Sequence, residues 1–165
     1  MLKELHLNAY AKVNLALNVL GPRDDGFHEI ETILHTVDLH DAITLRERED
    51  GIEVRTDNPG VPDDARNLVV RAAQVLRETF KVQRGVEIDI RKGIPVASGL
   101  GGGSSDAAIT LLGLVQMWKI RLNGRGLLSL AASLGSDVPF FLEGGAAIAR
   151  GRGEKLTWLP PLPTT

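Results

Sequence analysis

Between an alternating run, VEIDI at 86–90, and a long apolar stretch of helical spacing lies IPVASGLGGGSS, residues 94–105. The loop proper, Pro95 to Ser105, constrains the fold more than any other feature of the chain. Gly99, Gly101, Gly102 and Gly103 lack the Cβ atoms that would hold a ligand away from the backbone. The first turn of the next helix adds unpaired N–H donors and roughly half a positive charge. Strand, glycine turn and helix N-terminus together form an anion site suited to phosphate. Ser104 and Ser105 can cap the helix, bind a phosphate oxygen or ligate Mg²⁺. The loop is not G-x-x-x-x-G-K-[ST], because no Lys follows its last glycine. It contains G-x-G-x-x-[small], but no Asp or Glu follows about 20 residues on beside a second strand, as a dinucleotide fold requires. On spacing alone, a flexible connector without a ligand stays open.

The elements around the loop read as α plus β. Residues 4–8 alternate loosely, 13–20 form a second apolar run, and GPRDDG at 21–26 is dense in turn formers. Ile30, Ile33, Leu34, Val37 and Leu39 suggest an extended segment, and 42–46 and 52–55 read as short strands. Helical spacing of Leu68, Val69, Ala72, Ala73, Val75, Leu76 and Phe80 predicts a helix over 66–80, with Asp63, Asp64 and Asn67 available as caps. Further helices are expected from about Ser104 to Trp118 and over 125–134. The closing LPPLPTT, with three prolines in seven residues, reads as an extended linker or a cut edge.

Composition bounds what these elements can do. A chain of 165 residues suits one domain or one lobe of a larger protein. Only 4% is aromatic, so the core must rest on Val, Leu, Ile and Ala. The net charge of -2 argues against a nucleic-acid footprint. The chain holds no cysteine, which excludes disulfides and thiolate metal sites within it. The four histidines, at 6, 28, 35 and 40, form no H-x-x-x-H pair. No signal-like or membrane-spanning apolar run is present, so the expected location is the cytosol, with no membrane partner.

PVASGLGGGSSDAA resembles the second motif of the GHMP kinases, the superfamily of galactokinase, homoserine kinase and mevalonate kinase. Its triple-glycine form is similar to the branch that phosphorylates a cytidyl diphosphate sugar-alcohol in the non-mevalonate isoprenoid pathway. Residues 11–32 (AKVNLALNVLGPRDDGFHEIET), 67–76 (NLVVRAAQVL) and 134–156 (LGSDVPFFLEGGAAIARGRGEKL) resemble three more segments of that family, in the same order. The resemblance implies an α+β two-layer domain, with a mixed sheet packed on helices in the ribosomal-protein domain 2-like fold. It implies that residues 1–165 form the N-terminal ATP-binding domain. The C-terminal domain of these kinases, with its third glycine-rich motif, is then absent from this chain.

The resemblance also assigns roles. Asp137, in SDVPFF, matches the catalytic base; position alone favours a cap or turn aspartate. Lys12, in AYAKVNLAL, matches the catalytic lysine that steadies the transferred phosphoryl group; its neighbours alone leave a snorkelling surface lysine equally open. Asn14, Phe27 and His28 match substrate-side positions. Phe27 offers a stacking face for the cytosine ring where the family usually has Tyr, and His28 a hydrogen bond; His28 reads otherwise as a turn-flanking histidine. The loop residues Pro95, Val96, Ala97, Ser98, Gly99, Leu100, Gly101, Gly102, Gly103, Ser104 and Ser105 match the phosphate-binding motif. Asn67 and Lys92 match positions near the adenosine part of ATP, and read otherwise as an N-cap and a solvated strand-end charge. The implied cofactors are ATP and Mg²⁺, the metal arriving with the nucleotide and held largely by phosphate and water. Another GHMP kinase, a non-catalytic nucleotide-binding module and an RNA-binding domain are the alternatives.

Overall fold

A computed structural model describes residues 3–160. The final five residues of LPPLPTT lie outside the described residues. Two long strands dominate: β1, Glu4–Pro22, and β2, His28–Arg48. They pair antiparallel along their whole length, from Glu4 opposite Arg46 to Pro22 opposite His28, and GPRDDG turns the chain between them. The sequence divides each strand into two runs, because register shifts at Tyr10/Ala11, Asn14/Ala16 and Val19/Gly21 break the alternation. The shifts at Asn14/Ala16 and Val19/Gly21 each put one extra residue in β1, and that at Tyr10/Ala11 puts two in β2; together they bend the hairpin without ending it.

The remaining elements are β3 (Ile52–Thr56), α1 (Leu68–Phe80), β4 (Gly85–Arg91), α2 (Gly102–Met117), α3 (Gly124–Leu134), a 3₁₀ turn (Val138–Leu142), β5 (Ala146–Gly151) and β6 (Lys155–Trp158). Opposite β1, the other edge of β2 pairs with β4 through Ala42–Arg48 and with β5 through Ile30–His35. β3 joins β4 in parallel and β6 joins β5 antiparallel, so the sheet is mixed. Helices cover one face, which is the two-layer α+β architecture expected.

The periodicities explain the layers. Val86, Ile88 and Ile90, at period two, are fully buried. Val69, Ala72, Ala73 and Leu76 form the matching stripe of α1. α2 is buried on nearly every side by β1, β2, α1 and the 3₁₀ turn. It can lie flush on the sheet because Gly113 has no side chain: a Cβ there would come 2.5 Å from Leu45 Cδ1. Leu111 and Leu114 are wholly buried, worth about 1.5–3 kcal/mol each by transfer. Among the described residues no helix is long and apolar enough to cross a membrane.

Candidate functional site

The glycine loop opens between β4 and α2. Helix α2 starts at Gly102, two residues before the expected Ser104, so the last glycines lie in its first turn. Gly101 is the N-cap, with φ of +75°, in the left-handed region. Its missing side chain is required twice over. A Cβ would stand 2.6 Å from Phe141 Cζ and 3.2 Å from Lys12 Cγ. Gly99, at φ +78°, needs glycine for its backbone alone. Between the loop and the start of α1 runs a cleft, walled by Val61, Pro62, Asn67 and Leu68 on one side and by Pro95–Gly99 and Gly101–Ser104 on the other, with Lys92 and Asp106 also lining it. Ser105 is buried, and its hydroxyl donates to the Tyr10 carbonyl at 2.7 Å, so it ties α2 to β1. Leu100 faces β1, its carbonyl accepting from the Lys12 amide at 2.9 Å.

Through that bond the loop meets Lys12. The Lys12 side chain is 8% exposed and does not snorkel. Its ammonium donates to Asn14 Oδ1 at 2.6 Å and stands 3.7 Å from Asp137 Oδ2. Asn14 Nδ2 donates to Thr32 Oγ1 at 2.8 Å, and Thr32 donates on to the Ala16 carbonyl at 2.6 Å. This relay runs across the register shift in β1 and fixes the lysine. Asp137 precedes the 3₁₀ turn but makes no side-chain cap bond, so its half-buried carboxylate is free to face Lys12. Buried Val138 and Phe140 anchor the turn behind it.

Phe27 and His28 lie at the hairpin turn, both exposed. The Phe27 amide donates to Asp25 Oδ1, and its carbonyl accepts from the Arg23 amide. Arg152, in the β5–β6 turn, holds its guanidinium carbon 4.9 Å from the Phe27 ring centroid. In the same turn, a methyl placed on Gly153 would stand 3.6 Å from Asp137 Oδ1. The β5–β6 turn thus bridges the aromatic tip of the hairpin to Asp137.

Asn67 caps α1, its Oδ1 accepting from Val69 N at 2.9 Å, and its amide donates to the Pro62 carbonyl at 2.8 Å. Asp64 instead closes a local turn by accepting from Arg66 N. Lys92 is no solvated strand-end charge: its side chain is 7% exposed and its ammonium is held between Asp41 and Asp106. Burial lowers the Lys92 pKa, but Asp106 and Asp41 outweigh it and hold the value above the usual range. Burial drives the Asp106 carboxyl up to about 7; Lys92 opposes that rise and Asp41 adds to it.

Asp41, Asp106, Thr32 and Arg152 escape the sequence reading. Asp41 carries a signal, since it shares a strand face with buried Ile43 and Leu45 at period two. A carboxylate on that face has to be paired. Asp106 precedes the buried residues Ala107, Ala108 and Leu111 of α2 and is equally enclosed.

Residues 67–145 match the family described as GHMP kinases N terminal domain. Over these residues the chain is similar to the N-terminal domain of the GHMP kinases. Within that family it is similar to 4-diphosphocytidyl-2-C-methyl-D-erythritol kinase. The proteins of that name from Alkaliphilus metalliredigens and Bacillus cereus (strain B4264) are each 51% identical, over 94% and 98% of this chain. The chain spans about half their length, 54% and 56%. A crystal structure of 4-(cytidine 5'-diphospho)-2C-methyl-D-erythritol kinase superposes with a TM-score of 0.82 at 41% identity, covering 94% of this chain and 55% of that one. Homoserine kinase from Cytophaga hutchinsonii shares the fold, with a TM-score of 0.72 at 21% identity over 96% of this chain and 52% of its own.

Proposed function

We propose that this chain is the nucleotide-binding and catalytic lobe of a kinase. The kinase transfers the γ-phosphoryl group of ATP to the 2-hydroxyl of 4-diphosphocytidyl-2-C-methyl-D-erythritol. The observation that carries the reading is the Lys12–Asp137 pair, 3.7 Å apart, on the strand whose Lys12 amide also seats the glycine loop. A general base and a cation beside a phosphate cradle are the parts that phosphoryl transfer needs.

In this reading the amides of Gly101–Ser104 and the start of α2 receive the phosphates. Asp137 accepts the proton of the attacking hydroxyl, whose oxygen bonds to the γ-phosphorus as the bond to the ADP oxygen breaks. Lys12 pairs with Asp137 and steadies the charge on the equatorial oxygens. Asn14 and Thr32 orient Lys12 from behind. Phe27 stacks the cytosine and His28 hydrogen-bonds it, while Asn67 shapes the nucleoside end of the cleft. Among the described residues no three His, Cys, Asp or Glu side chains cluster as a metal cage. Mg²⁺ would enter as the nucleotide complex and would neutralise phosphate charge there. The same reading places the protein in the cytosol, acting on a small molecule.

Asp137→Asn tests the assignment. It should retain Mg·ATP affinity and lose turnover by about a hundredfold or more. Turnover equal to the parent protein excludes Asp137 as the base.

A further inference from the structure

Both ends of the glycine loop are tied to one buried residue that the proposed chemistry does not use. Asp41, on β2, has no exposed surface. Its Oδ1 accepts from the amides of Gly93 and Ile94, at 2.7 and 2.8 Å, just before the loop begins. Its Oδ2 accepts from the Lys92 ammonium, and Lys92 reaches across to Asp106 Oδ2 at 3.1 Å, in the first turns of α2 where the loop ends. Gly93 has no room for a side chain, because a Cβ would collide with the His40 carbonyl of the same β2 segment.

We propose that Asp41, Lys92 and Asp106 form a clamp that positions the glycine loop, with Asp41 as its positioning residue and Lys92 as a strut rather than a nucleotide ligand. The inference rests on the reading of the loop as a nucleotide site. The clamp fixes the segment before Pro95 and the first turns of α2 to the same strand. The loop between is then held at the width at which Gly101 packs on Phe141 and Leu100 bonds to Lys12. Asp41 and Asp106 take two of the three N–H donors of the Lys92 ammonium and fix its direction. Breaking a buried pair of this kind loosens what it joins more than an exposed pair would.

The two roles of Lys92 predict opposite signs. Asp41→Asn keeps an oxygen for the Gly93 and Ile94 amides and removes the charge that holds Lys92. If Lys92 is a strut, hydrogen exchange at the Lys12 and Ser105 amides, whose bonds to Leu100 and Gly101 report a seated loop, speeds up by roughly tenfold or more. Exchange across β4 and α1 holds its rate, and calorimetry with Mg·AMP-PNP shows weaker binding by about tenfold. If Lys92 is a ligand, freeing it from Asp41 leaves exchange unchanged and tightens binding, which overturns the proposal. Lys92→Gln, a second variant should Asp41→Asn not fold, must also accelerate exchange at Lys12 and Ser105; weaker binding without that acceleration refutes the clamp. Failure of the parent chain to bind Mg·AMP-PNP would defeat the nucleotide reading alone, since the exchange rates judge the clamp without any ligand.

Discussion

Three alanine substitutions in one loop separate the two reasons for its glycines. At Gly101 the backbone is left-handed, at φ +75°, and a Cβ meets Phe141 at 2.6 Å and Lys12 Cγ at 3.2 Å. At Gly99 the backbone is left-handed, at φ +78°, and nothing lies within 4 Å. At Gly103 the backbone is helical and the space is open. A left-handed alanine costs about 1–2 kcal/mol, and an overpacked methyl about 1–3 kcal/mol more. Gly101→Ala therefore destabilises by about 2–5 kcal/mol and Gly99→Ala by about 1–2 kcal/mol. Gly103→Ala gains up to about 1 kcal/mol from helix propensity. With a urea m-value of about 2 kcal/mol/M, the midpoint falls by roughly 1–2.5 M at Gly101 and roughly 0.5–1 M at Gly99, and rises slightly at Gly103. Urea melts of the parent and the three variants give the order directly. A Gly101→Ala midpoint no lower than that of Gly99→Ala refutes the contact with Phe141. A Gly99→Ala midpoint equal to the parent's refutes the backbone argument.

Other substitutions probe the rest of the site. Asp106 is pushed up to about 7 from an ordinary 3.8, so in between the folded chain keeps a proton that the unfolded chain releases. That contribution favours folding at low pH and is lost as pH rises through 7; urea melts should show Asp106→Asn gaining on the parent between pH 5 and pH 8. Thr32→Val, which leaves Asn14 without its acceptor, should cost about 1–3 kcal/mol in the same melts. Phe27→Ala should raise the KM for the cytidyl substrate by about tenfold or more and leave that for ATP unchanged, with Phe27→Tyr close to the parent, in steady-state kinetics.

The sheet and helices were legible where burial is one-sided. VEIDI alternates because β4 packs one face on the helices, and 66–80 repeats at helical spacing because α1 buries one stripe. β5 and β6 are not legible: AAIARG and KLTW are short, β5 pairs with a segment of β2 more than a hundred residues away in sequence, and β6 has only β5 to pair with. The continuity of β1 was hidden by its register shifts. At the site, Lys12 and Asp137 are separated by most of the chain, so only resemblance could pair them; the 3₁₀ turn and the bend in β1 bring them to 3.7 Å. For Lys92 it is the alternative reading, a solvated charge, that fails, and for a physical reason: a lysine at a strand end looks solvated until Asp41 and Asp106 enclose it.

The central claim is the reaction itself. Incubation of the chain with Mg·ATP and, in parallel, 4-diphosphocytidyl-2-C-methyl-D-erythritol, mevalonate or homoserine, followed by ³¹P NMR, reads both the transfer and its acceptor. The account predicts ADP and a new phosphomonoester at the 2-hydroxyl of the cytidyl substrate alone. A phosphomonoester on mevalonate or homoserine instead, or no transfer to any acceptor, contradicts it.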